Sequence, residues 1–238
     1  MLYLGQSIFL IRIKTYLVGW LLLITNIGLA QSSYELGLLP SINVSKSFEK
    51  DWKLSFKGES RQSLKSGAFS EGNSNSYNYL LTDFIVFTSK KIAPNKALAF
   101  GYTFRIQDRS TIKNRITQQF SAAKAYSSLK LGHRLRTDET FSKNEPIELR
   151  LRYQLSIEVP FKPKSVEPNG FYYKLGNEYV TSLKAKTFDL ELRLVNLIGY
   201  EFSSKSKLEW GVDYRASSFI HDELDNAFWM AVKWYWTM

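Results

Sequence analysis

The chain has no cysteine and only two histidines, His133 and His221. The missing thiol excludes a disulfide framework, thiolate metal sites, a cysteine nucleophile and a lipoprotein-type lipidated cysteine. No Gly-rich phosphate loop and no HExxH pair occurs, so the usual sequence signs of nucleotide binding and of zinc hydrolysis are missing as well. A bilayer-spanning helix needs about 20 apolar residues, and the run YLVGWLLLI at 16–24 is shorter than that. What the chain does have is aromatic and basic residues: 15% Phe, Trp and Tyr, and 32 Lys plus Arg against 22 Asp plus Glu, for a net charge of +10. The basic residues alternate along separate segments and form no single patch, which argues against nucleic acid as a partner. Mean hydropathy is −0.24. That value suits a soluble protein and a transmembrane barrel equally, because a barrel averages a polar lumen with an apolar exterior.

Arg12 and Lys14 precede the apolar run, and Gly28 and Ala30 stand at −3 and −1 before Gln31. This is the layout of a secretory signal peptide, residues 1–30, cleaved after Ala30. The expected mature chain is one domain, 31–238, and it keeps a charge of +8 because the leader carries two basic and no acidic side chains.

From Gln31 onward, apolar residues recur with period two and not with the helical period. In ALAFGYTFRIQ (97–107), Leu98, Phe100, Tyr102, Phe104 and Ile106 take one face, and Ala99, Gly101, Thr103, Arg105 and Gln107 the other. In IELRLRYQLSIEV (147–159), Leu149, Leu151, Tyr153, Leu155, Ile157 and Val159 oppose Glu148, Arg150, Arg152, Gln154, Ser156 and Glu158. Strands of globular proteins run about five or six residues, whereas a tilted strand crossing a bilayer needs about nine to eleven. Nearly all the alternating segments here are ten to fifteen residues long. Length therefore favours a transmembrane barrel over a soluble sandwich or lipocalin-like barrel, as do Tyr and Trp near segment ends. Short connections at 48–51, 93–95, 127–128 and 203–206 interleave with longer polar ones at 64–77, 107–113, 138–146, 181–186 and 219–226, as periplasmic turns and outer loops do. The segments number eleven, but single-chain bacterial barrels have an even count. The expected fold is therefore an all-β, transmembrane antiparallel up-and-down β-barrel of 10 or 12 strands. The doubtful segments are 35–48, interrupted by Pro40, and the short 171–180.

The order INVSKSFEKDWKLSFKGESR, YLLTDFIVFTSKKIAPNKALAFGYTFR, LKLGHRLR, IELRLRYQ, FYYKLGNEY resembles the family catalogued as domain of unknown function 2490 (DUF2490). The residues that carry the resemblance are Trp52, Glu59, Arg61, Asp83, Gly101, Tyr102, Arg105, Arg134, Arg136, Arg150, Arg152 and Glu178. The resemblance implies an outer-membrane β-barrel in a Gram-negative bacterium and no settled activity.

Facing lipid at the bilayer midplane costs an Arg or Lys about 2–4 kcal/mol, so period two sends the charges to the lumen. The candidate lumen ladder is Arg61, Asp83, Arg105, Arg115, Arg134, Arg136, Arg150, Arg152, Glu178, Arg193, Asp213 and Arg215. It could fill the interior as ion pairs or line a narrow pore for small solutes with a slight anion preference. The alternative is an outer-membrane lipid hydrolase built from SSFIHDE, with His221, Ser217 and Asp222 as the catalytic candidates. No cofactor or metal site is expected. The terminal stretch FWMAVKWYWTM places Phe228, Met230, Val232, Trp234, Trp236 and Met238 on one apolar face. It resembles the C-terminal targeting strand read by the barrel-assembly machinery, so the expected partners are that machinery and outer-membrane lipid.

Overall fold

The computed structural model describes residues 33–69, 73–108, 111–161, 170–220 and 224–238. The expected leader 1–30, His221 and Asp222 lie outside the described residues. Eleven strands follow one another: β1 (Ser33–Ser47), β2 (Trp52–Ala68), β3 (Asn73–Ala93), β4 (Lys96–Gln107), β5 (Ile112–Ala125), β6 (Lys130–Ser142), β7 (Glu148–Pro160), β8 (Gly170–Lys184), β9 (Thr187–Ser203), β10 (Ser206–Ser217) and β11 (Asp225–Thr237). They close into one barrel in chain order.

The expectation of ten or twelve strands is corrected to eleven, and both doubtful segments are strands. When strands alternate in direction, an odd count leaves the first and last running the same way. The seam is accordingly parallel, from Ser33↔Asp225 to Ser45↔Thr237, while every other neighbouring pair is antiparallel. The start of β1 and the end of β11 thus sit at opposite rims. Pro40 is accommodated at this seam. It pairs across from Val232, and the ladder to β2 lapses at Leu39 and Pro40, where proline has no N–H to give.

The connection expected at 64–77 is shorter than the sequence suggested. The β2–β3 hairpin continues through Ser66↔Ser74 to Gly67↔Asn73, giving strands of 17 and 21 residues against 12 in β4. Register shifts at Arg61/Gln62 and Ser63/Lys65 break the alternation there, which is why period two does not reveal the extension.

Elsewhere period two assigns the faces directly. Leu98, Phe100 and Tyr102 are exposed outside, while the intervening Gly101 and Thr103 are buried inside. The interior also holds an apolar cluster of Leu39, Val195, Leu197, Trp229 and Ala231, a packed patch on β1, β9 and β11 within a mostly polar lumen.

Three bulky rings are housed by glycines directly across the ladder: Trp229 by Gly37, Phe87 by Gly101 and Tyr172 by Gly199. A Cβ at any of the three would collide with its ring, so the glycine makes room for an inward aromatic that a larger residue would expel. Gly199→Val is expected to cost about 1–3 kcal/mol by overpacking, read as a lowered midpoint of guanidinium unfolding. Gly170, whose Cβ would meet nothing within 4 Å, should tolerate alanine with no comparable shift.

Candidate functional site

The barrel encloses a cavity of about 500 Å³. All twelve residues of the expected ladder open onto it: Arg61, Asp83, Arg105, Arg115, Arg134, Arg136, Arg150, Arg152, Glu178, Arg193, Asp213 and Arg215. They converge because strand periodicity puts residues i and i+2 on the same face, and closure turns that face inward. Lys57, Glu59, Lys174, Glu191 and Lys233 join them.

The pairing follows strand geometry. Along single strands, i and i+2 partners meet: Lys57 with Glu59 at 2.6 Å, Arg150 with Glu148 at 2.7 Å, Arg193 with Glu191 at 2.7 Å and Arg215 with Asp213 at 2.9 Å. Across the β3–β4 ladder, Asp83 lies opposite Arg105 and accepts both Nε and Nη2, each at 2.6 Å. This fork-to-fork arrangement is the strongest geometry open to such a pair.

Glu178 is the hub. Its carboxylate, 3% exposed, takes Arg152 at 2.9 Å, Arg134 at 3.2 Å and Arg193 at 3.5 Å. Arg152 turns its other amino group to Asp138 at 3.2 Å, and Asp138 also accepts from Thr117 Oγ1 at 2.6 Å. One connected set of charges therefore ties β6 to β9, and the Thr117 hydroxyl joins β5 to it.

A second knot lies on β8–β11, toward the rim where β11 ends. Glu209, with 0% exposure, is hydrogen-bonded by Tyr172 at 2.9 Å, Lys174 at 2.8 Å and Tyr235 at 3.1 Å, and Lys207 stands 3.5 Å away. The Lys207 ammonium sits 5.4 Å from the Tyr172 ring centroid and 5.0 Å from that of Tyr235, within cation–π range. Tyr172, Trp229 and Phe87 are inward residues that sequence reasoning missed, whereas Tyr235 falls on the Lys233 face of the last strand, as alternation expects. Alternation assigns the first three inward as well, but aromatic residues in a barrel read first as girdle.

The hydrolase candidates separate. Ser217 opens onto the interior cavity and not onto the outer wall, where a lipid ester would arrive. The neighbouring Ser218 donates to Asp225 at 2.8 Å. His133 lies on the outer surface, sharing a 2.8 Å hydrogen bond with Tyr153. Among the described residues no three His, Asp or Glu side chains converge to hold a metal ion. In the β6–β7 loop, hydrogen bonds from Lys184 and then Lys113 hold the Glu145 carboxyl down at about 2, so that acid already has its cations.

These features define the class: a closed eleven-stranded β-barrel with an ion-paired interior. A match to the family described as protein of unknown function (DUF2490) covers residues 36–223, and the chain belongs to that family. No curated protein and no solved structure matches it.

Proposed function

We propose that the chain is an outer-membrane β-barrel whose charged lumen passes small solutes, with anions favoured. The observation that carries this reading is a belt of large apolar side chains, exposed on every strand: Ile42, Phe56, Phe84, Phe100, Phe120, Leu135, Leu151, Tyr179, Ile198, Val212 and Met230. A soluble monomer rarely exposes more than a few hundred Å² of continuous apolar surface. A belt around the whole circumference is a surface matched to hydrocarbon.

Three further features support it. Every strand has at least the roughly nine to eleven residues that a tilted span requires. Three pairs of polar groups on the outer surface satisfy each other, Tyr102 with Asn114 at 2.6 Å, Thr137 with Gln118 at 2.5 Å and Tyr173 with Asn196 at 2.7 Å, which suits hydrocarbon because it offers no water. At one rim Lys46, Lys90 and Lys124 stand 5.0–5.5 Å from the rings of Phe48, Trp52 and Tyr126, an arrangement suited to the headgroup level.

Residues 1–30 would direct export, and Phe228, Met230, Val232, Trp234, Trp236 and Met238 would present the alternating apolar face that the assembly machinery reads. Nothing among the described residues favours the lipid-hydrolase alternative. The test is a planar bilayer. Refolded protein should give discrete conductance steps, with a reversal potential in a KCl gradient that favours chloride. Insertion without steps would leave only a structural role, and a monomer soluble without detergent would overturn the membrane reading itself.

A further inference from the structure

The charges of the lumen are not evenly mixed. Every carboxylate lining the cavity comes from β1–β3 or β8–β10: Glu35, Glu59, Asp83, Glu178, Glu191 and Asp213. Among the described residues the four strands β4–β7 contribute six guanidiniums and no carboxylate to the lining; their own inward carboxylates, Asp138 and Glu148, do not line the cavity and are taken by Arg152 and Arg150. One side of the cavity is an arginine wall and the other is mixed.

Two arginines of that wall have no carboxylate within salt-bridge distance among the described residues. Arg115 is anchored through Nε to Thr140 Oγ1 at 2.9 Å, and Arg136 through Nε to Gln119 Oε1 at 2.6 Å. Both anchors are neutral, so they fix the guanidinium without cancelling its charge. In each case the two terminal amino groups make no hydrogen bond to the protein among the described residues. The Arg136 guanidinium also lies 5.2 Å from the Phe87 ring centroid, which holds its plane.

The surroundings sharpen the deficit. Arg136 stands directly across the β6–β7 ladder from Arg152, and like charges so placed repel. The Nε groups of Arg134 and Arg152 are buried with no hydrogen-bond partner, and unpaired buried donors are costly. Free forks, opposed like charges and orphan N–H groups on the same wall all call for an anion.

We propose that the β4–β7 wall is a binding site for a small oxyanion-bearing solute, phosphorylated or carboxylated, centred on Arg136 with Arg115, Arg134 and Arg152 beside it. A guanidinium fork matches the spacing of two oxygens on phosphate or carboxylate and binds them in parallel. The cavity volume falls in the range of about 300–1,000 Å³ typical of small-molecule sites. The inference rests on the lumen being reachable from solvent, as the pore reading requires.

Isothermal titration calorimetry of the refolded barrel in a zwitterionic detergent tests it, with inorganic phosphate and pyrophosphate in one arm and citrate in the other. Saturable one-to-one binding in either arm is expected, and the tighter arm identifies the anion. Arg136→Gln should weaken it at least about tenfold, as loss of a charged hydrogen-bonding partner does. Arg136→Lys keeps the charge without the fork and should fall in between, so it carries the test if the glutamine variant does not fold. Lys205→Gln, exposed on the β9–β10 turn and outside the cavity, should bind as wild type does. Absence of saturable heat in both arms, or equal losses in the Arg136 and Lys205 variants, would overturn the site. Because the titration needs no conduction, a barrel that conducts but does not bind would refute the site and leave the pore intact.

Discussion

Glu178→Ala should destabilise the barrel by about 3–5 kcal/mol, the usual cost of removing one partner from a buried ion pair. The carboxylate lies on β8 and collects Arg134 from β6, Arg152 from β7 and Arg193 from β9. Its removal strands charge unevenly. Arg193 keeps Glu191 and Arg152 keeps Asp138, but Arg134 has no other carboxylate among the described residues. The penalty therefore comes chiefly from Arg134, whose Nε is already unpaired, and from repulsion among guanidiniums that had shared one counter-charge. Glu178→Gln keeps the shape and an acceptor oxygen and should lose less. The comparison of guanidinium midpoints for the two variants separates charge from hydrogen bonding, and raised salt should recover part of the loss through screening. A change below about 1 kcal/mol in the alanine variant, the level of an exposed pair, would mean that water already solvates these arginines and that the hub has no structural weight.

Alternation alone placed Arg134, Arg136, Arg150 and Arg152 on one face, because charge avoids apolar surroundings and period two leaves only two faces. The strand number was less accessible. An even count is a regularity of other barrels, while the parallel seam here depends on Ser33–Ser45 meeting Asp225–Thr237, a pairing of segments about 190 residues apart that no local pattern encodes. Pro40 read as an interruption because a ladder position lacking an N–H is penalised only where the partner strand needs that hydrogen. Inward aromatics were hidden for a related reason. Trp229 shares its face with Lys233, yet its room inside comes from Gly37, and the match becomes visible only once the register is known. The same holds for the arginine wall. The residues were legible one by one, but which of them are left without a carboxylate depends on neighbouring strands and appears only on closure.

Glu209→Ala should act on stability and on conductance together. The fully buried carboxylate is held by Tyr172, Lys174 and Tyr235 and faced by Lys207, so its loss leaves two ammoniums and two hydroxyls without their common acceptor. A destabilisation of about 3–5 kcal/mol follows by the same rule as for Glu178. Tyr172→Phe or Tyr235→Phe, each removing one hydrogen bond to a charged group, should cost about 1.5–3 kcal/mol. The functional arm distinguishes this knot from the hub. Tyr172 and Lys174 reach from β8 across β9 to Glu209 on β10, so the knot lays side chains against the lumen wall near the rim where β11 ends. Without the carboxylate, Lys174 and Lys207 repel each other and turn toward water, which widens that end and adds uncompensated positive charge. Planar-bilayer recordings of Glu209→Ala should therefore give larger steps than wild type and a reversal potential shifted further toward chloride. Glu178→Ala, which lies deeper among arginines, should shift selectivity with little change in step size. Unchanged steps in Glu209→Ala would show that the limiting width lies elsewhere along the lumen, and the apolar patch of Leu197 and Trp229 would then be the next constriction to open by substitution.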